Sequence, residues 1–137
     1  MKTLILVLLA SFFLLSSFSD SDKYYAIKQT LEDHNYTILK EMYGDIAQGE
    51  TVYYWKTFNA NTTYAIYGFS EDDNVSDLDI EVQYDDGTTY MSDNGSDDEP
   101  VVVFRPSYTR TMKVILKNYR SDTPYDESRC EFMIAAK

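Results

Sequence analysis

The stretch from Asp77 to Tyr84 alternates without a break. Leu78, Ile80, Val82 and Tyr84 are apolar, while Asp77, Asp79, Glu81 and Gln83 are polar. A period of two sends the two sets to opposite faces of a β-strand and matches no helix. Such a strand buries one face and must pair and pack with others to do so. The same rhythm marks Thr51 to Phe58, with Val52, Tyr54 and Phe58 on one face and Tyr53, Trp55 and Thr57 on the other. Further strands are expected at Thr63–Phe69, Thr88–Met91, Val101–Phe104, Thr111–Tyr119 and Cys130–Ala135. Asn59-Ala60-Asn61 and Asp85-Asp86-Gly87 supply turns, the second with a glycine suited to a tight hairpin. No β-α alternation occurs, so the pattern predicts a mainly β, antiparallel β-sandwich. The 137 residues suffice for one domain. Residues 20–137 hold only four leucines, so the aromatic residues, among them 13 tyrosines, must supply much of the core.

The N-terminal part reads differently. Met1-Lys2, an uncharged run from Leu4 to Leu15, and Ser16-Ser17-Phe18-Ser19 have the layout of a secretory signal peptide over residues 1–19. The run is shorter than the roughly 20 apolar residues that span a membrane. Residues 20–48 are expected to be a helical segment. Asp22 caps a helix from Lys23 to Gly44, with Tyr24, Ile27, Leu31, Ile38, Leu39 and Met42 on its apolar face. His34-Asn35 is a weak point within it. Residues 49–137 form the sandwich.

The chain carries 23 acidic and 12 basic side chains, which argues against nucleic acid and anionic membranes as partners. Its charge is uneven: residues 70–99 contain twelve acids and no base. Asp77, Asp79, Asp93 and Asp97 lie in this segment and form a candidate Ca²⁺ site, since calcium takes six to eight oxygen ligands. The alternative is a solvated acidic rim that favours solubility. The EF-hand spacing is absent.

The order Thr63-Tyr-Ala-Ile-Tyr-Gly-Phe-Ser, Ser76-Asp-Leu-Asp-Ile-Glu-Val, Asp85-Asp-Gly, Asp93, Asp97-Asp98-Glu-Pro-Val-Val-Val-Phe, Pro106 and Met112-Lys-Val-Ile-Leu-Lys-Asn-Tyr resembles the bacterial pre-peptidase C-terminal (PPC) domain family. The resemblance covers about residues 50 to 135. It implies a jelly-roll-like β-sandwich, usually exported, of a kind that often accompanies a secreted peptidase or other hydrolase. Some relatives bind collagen, carbohydrate or calcium. This chain departs from related stand-alone proteins in keeping one cysteine, Cys130, where they carry pairs.

Catalytic constellations are sparse. His34 is the only histidine and falls outside the sheet region, and Cys130 has no local sequence that would make it a nucleophile. Asp77 and Asp79 share a strand face but have no evident cleft between them. A non-enzymatic binding or scaffolding module is therefore expected, periplasmic or extracellular and monomeric. Its expected partner is a protein or a polysaccharide. A secreted hydrolase, or an accessory domain acting with a secreted peptidase, is the alternative. Tyr53 and Trp55 are the candidate binding platform. Against that, the helix's apolar stripe needs a surface, and packing on this face would bury both rings.

Overall fold

The computed structural model describes residues 23–137. The expected signal peptide and the Asp22 cap lie outside the described residues. The chain runs α1 (Lys23–Asp33), β1 (Thr37–Ile46), β2 (Thr51–Phe58), β3 (Tyr64–Ser70), β4 (Val75–Gln83), β5 (Thr89–Asp93), β6 (Val101–Phe104), β7 (Arg110–Ser121) and β8 (Ser128–Ala136).

The helix is half as long as its apolar spacing suggested. It stops at Asp33, and Asn35 takes a φ of 65°, the left-handed conformation that asparagine accepts at helix ends. The Tyr36 amide donates to the Leu31 carbonyl at 2.9 Å and closes the end. Thr37 to Ile46, expected as helix, is the edge strand β1, so the sandwich begins before residue 49. The reason lies in the spacing. Ile38 and Met42 are four residues apart, and a four-residue step keeps one face in a helix and in a strand alike.

Two four-stranded sheets form, in the orders β1-β8-β3-β6 and β2-β7-β4-β5, with every neighbouring pair antiparallel. Most connections cross between sheets, the wiring of a jelly roll. The inward positions of both sheets meet in a core that includes Phe58, Ile66, Leu78, Ile80, Val82, Leu116 and Phe132. At one end the rings of Phe58, Tyr64 and Phe104 pack with centroids 4.8–5.7 Å apart, and Tyr90 and Tyr84 extend the chain of contacts. Aromatic residues fill the space that leucine would fill elsewhere. Cys130 also lies in this core, where burial pushes its thiol up to about 12.

Gly68 leaves no room for a side chain beneath the second sheet. A Cβ there would lie 2.7 Å from Leu116 Cδ1 and 3.1 Å from Pro100 Cγ. Gly68→Ala should therefore overpack the core and cost about 1–3 kcal/mol, read as a lower urea midpoint with an unchanged slope.

Ile27 and Leu31 of α1 pack on the outer face of the first sheet, against Ala65, Tyr67, Phe69, Met133 and Ala135. Every residue of β3 is consequently buried. Among the described residues, no helix packs on the outer face of the second sheet. This reverses the expectation that the helix covers Tyr53 and Trp55: their relative exposures are 53% and 44%.

Candidate functional site

The uncovered face is built by strand register. On β2, Thr51, Tyr53 and Trp55 stand opposite Lys117, Ile115 and Lys113 of β7. The same three β7 residues oppose Asp79, Glu81 and Gln83 of β4. Glu81 in turn faces Ser92 of β5. Aromatic residues thus hold one side of the face and hydrogen-bonding groups the other. Toward the Thr51 end of the face lies a hollow of about 510 Å³ bordered by Thr51, Asp79, Glu81, Thr89, Asn94 and Tyr119, which Tyr53 and Trp55 do not line.

The polar groups are held in place. Lys113 Nζ sits 4.2 Å from the Tyr53 ring centroid and 5.8 Å from that of Trp55, and Lys117 Nζ is 5.8 Å from Tyr119. Such cation–π contacts order flexible lysines while leaving their ammonium groups able to donate. Thr89 Oγ1 and Gln83 Nε2 both donate to Glu81 Oε1 and hold its carboxyl below the usual range. Flat rings beside fixed donors and acceptors can stack on the apolar face of a ligand ring and bond its hydroxyl edge.

Next to this face lies the acidic corner. Register shifts between β4 and β7 fall on both sides of Asp77, which is only 5% exposed. Asp77 and Asp79 each keep a buried Oδ1 without a hydrogen-bond partner. The loop after β5 folds back beside them, with the Leu78 amide donating to the Asp97 carbonyl at 2.9 Å. Asp93 Oδ2 accepts from the Val101 amide, and Asp97 Oδ1 from that of Glu99, at 2.9 and 3.0 Å. Burial raises the carboxyls of Asp77 and Asp79. For Asp77, Arg120 opposes the shift while Asp97 and Asp93 add to it; for Asp79, Asp77 adds and Lys117 opposes. Asp97 is raised as well, by desolvation with Asp93 and Asp98 contributing. The fold therefore draws the four acids into one electrostatic neighbourhood. Among the described residues, however, no three His, Cys, Asp or Glu side chains form a group able to hold a metal ion as they stand.

His34 and Cys130 are not brought together. His34 lies just past α1, its Nδ1 2.8 Å from the Thr30 carbonyl oxygen, while Cys130 faces the core between the sheets. Sequence reading missed Lys113, Ile115, Lys117 and Tyr119 as parts of the face. Their two-residue spacing was visible, but their pairing with Tyr53 and Trp55 was not.

The fold and its uncovered face define a jelly-roll β-sandwich module. Among solved structures it resembles the periplasmic inhibitor of g-type lysozyme PliG from Aeromonas hydrophila, with TM-score 0.54 and 9% identity over 72% of this chain and 85% of that one. It also resembles the pre-peptidase C-terminal domain of collagenase from Bacillus anthracis, with TM-score 0.53 and 8% identity over 69% and 87%. These likenesses are of fold. No protein-family model and no curated protein matches the sequence.

Proposed function

We propose that the protein is an exported, non-enzymatic module that binds polysaccharide on the outer face of its β2-β7-β4-β5 sheet. The observation that carries this reading is the exposure of Tyr53 and Trp55 side by side on a regular sheet, across from ordered carboxylate, amide and hydroxyl groups. A two-residue step along a strand separates the rings by roughly 6.6 Å, so two rings can contact successive units of one chain. A purely apolar docking patch would lack the polar half. The reading includes export through a leader of residues 1–19. The inhibitor and the collagenase domain named above lend it support only in their similar fold.

Trp55 is the sole tryptophan, so its fluorescence reports on this face alone. Titration with chitohexaose, xylohexaose and cellohexaose should give a saturable change in emission with at least one of them. Amide shifts should be confined to β2, β4 and β7. Unchanged fluorescence and spectra with all three, alongside retention of the protein by a protein ligand at Trp55, would favour the protein-partner alternative.

Calcium at Asp77, Asp79, Asp93 and Asp97 belongs to the same proposal, supported by the two orphaned buried oxygens. A carboxyl with a raised folded pKa binds its proton more tightly when folded. Its contribution to stability therefore falls as pH rises from about 3.8 through the folded value. In chelator, Asp77→Asn should remove that penalty and raise stability by about 1 kcal/mol, or roughly 4 °C in Tm. Added Ca²⁺ should raise the Tm of the unsubstituted protein and leave that of Asp77→Asn where it was. A Tm that ignores both chelator and Ca²⁺ removes calcium from the reading.

A further inference from the structure

On the opposite side of the molecule, α1, β1 and β8 enclose a second hollow of about 510 Å³. Its floor is apolar, with Phe69 and Met133 buried beneath it. Its walls are aromatic. Tyr24 and Tyr25 meet edge to face at 5.0 Å on the helix side, and Tyr43 of β1 stands opposite, with Tyr25 and Tyr43 71% and 57% exposed. Large exposed rings around an apolar floor are costly to leave in water unless something covers them.

The charge on the walls selects what fits. Glu41, Glu71 and Glu131 all line the hollow, and among the described lining residues Arg129 is the one cation. Register puts Glu131 between Tyr43 and Phe69 on the sheet, so this carboxylate sits among rings. Arg129 binds in a recognisable way: its guanidinium lies 3.8 Å from the Tyr43 ring centroid, and its Nε is 3.4 Å from Glu131 Oε1. Tyr24 Oη donates to Glu41 Oε1 at 2.8 Å, and the Tyr24 amide to Glu71 Oε1 at 3.4 Å. Lys28 Nζ is 5.9 Å from the Tyr24 ring, and Lys23 is engaged elsewhere, by Asp98 and the Ser70 carbonyl. Three carboxylates face Arg129 within the hollow and Lys28 at its rim, so the described groups beside the tyrosine rings remain net acidic. Burial raises the Glu131 carboxyl; Arg129 opposes the shift, and Glu71 and Glu41 add to it.

We infer that this hollow is a docking site for an arginine side chain of a basic partner protein, held between the tyrosine rings and the Glu41, Glu71 and Glu131 carboxylates. A guanidinium is planar, stacks on aromatic faces and pairs with carboxylates through two N–H groups, whereas an ammonium is a compact, strongly hydrated point charge. The resident Arg129 already displays both contacts on this wall. The site is separate from the polysaccharide face and does not depend on it.

The test is an NMR titration of the ¹⁵N-labelled protein with acetyl-Gly-Arg-Gly-amide, and with the lysine and citrulline versions of that peptide. The arginine peptide should move the Tyr24, Glu41, Tyr43 and Glu131 amides saturably, at least fivefold more tightly than either control. Glu71→Gln, at an exposed position, and Glu131→Gln should each weaken it at least fivefold. Asp85→Asn, which removes the same charge from the distant β4–β5 turn, should leave it unchanged. Equal binding of the lysine or citrulline peptide would overturn the assignment. So would equal loss in Asp85→Asn and the glutamate variants, or shifts confined to the Trp55 face. Contacts from residues 20–22 to the Tyr43 ring in the free protein would also overturn it, because the chain would then fill the hollow itself.

Discussion

Trp55→Ala should weaken oligosaccharide binding by roughly thirtyfold, or about 2 kcal/mol, while shifting the unfolding midpoint only slightly. The two effects separate because of where the ring stands. Nearly half of Trp55 is already in water, and its inner neighbours on β2, Tyr54 and Phe58, face the opposite way into the core. Removing it takes away a stacking surface without opening a cavity. Tyr53→Ala should do the same to a smaller degree, since it also frees Lys113 from its cation–π contact. The double substitution tests whether the rings act on one ligand. Losses that exceed or fall short of the sum by more than about 0.5 kcal/mol indicate coupling. Isothermal titration of the two single variants and the double variant measures this directly. Binding undiminished in the double variant would remove the proposed face.

Phe58→Ala should have the largest effect on stability, about 3–5 kcal/mol. Phe58 is fully buried and contacts Tyr64 and Phe104 edge to face, at 4.8 and 5.2 Å. It sits at the end of β2, an edge strand held by β7 on one side only. The cavity left there would loosen the strand that carries Tyr53 and Trp55. Against the roughly 5–15 kcal/mol that hold a typical domain together, such a loss takes a large share. Urea denaturation followed by Trp55 fluorescence would show it. A loss below about 1 kcal/mol would mean that the neighbouring rings close the gap.

Much of the sandwich was legible in residue order. The alternation at Asp77–Tyr84 and Thr51–Phe58 marked β4 and β2, because a strand with one buried face writes a period of two into the sequence. The strand at Thr37–Ile46 was not legible as such, since its apolar steps of four suit a helix equally well. Asp77 was read as facing outward with Asp79. It is nearly buried, at an irregular pairing with β7, and local alternation carries no sign of a bulge made with a distant strand.

The fold class, the acidic segment and the pairing of Tyr53 with Trp55 on one face were settled by short-range spacing, which is a local property of the chain. Which face the helix covers depends on contacts between α1 and β3 or β8, some 35 to 110 residues away in sequence. Only the tertiary structure decided that the helix packs on the first sheet and leaves Tyr53 and Trp55 open on the second. The hollow beneath Tyr24 and Tyr43 has the same origin. Two of its three glutamates belong to β1 and β8 and the third, Glu71, follows β3 directly, and only the tertiary fold draws them to one wall.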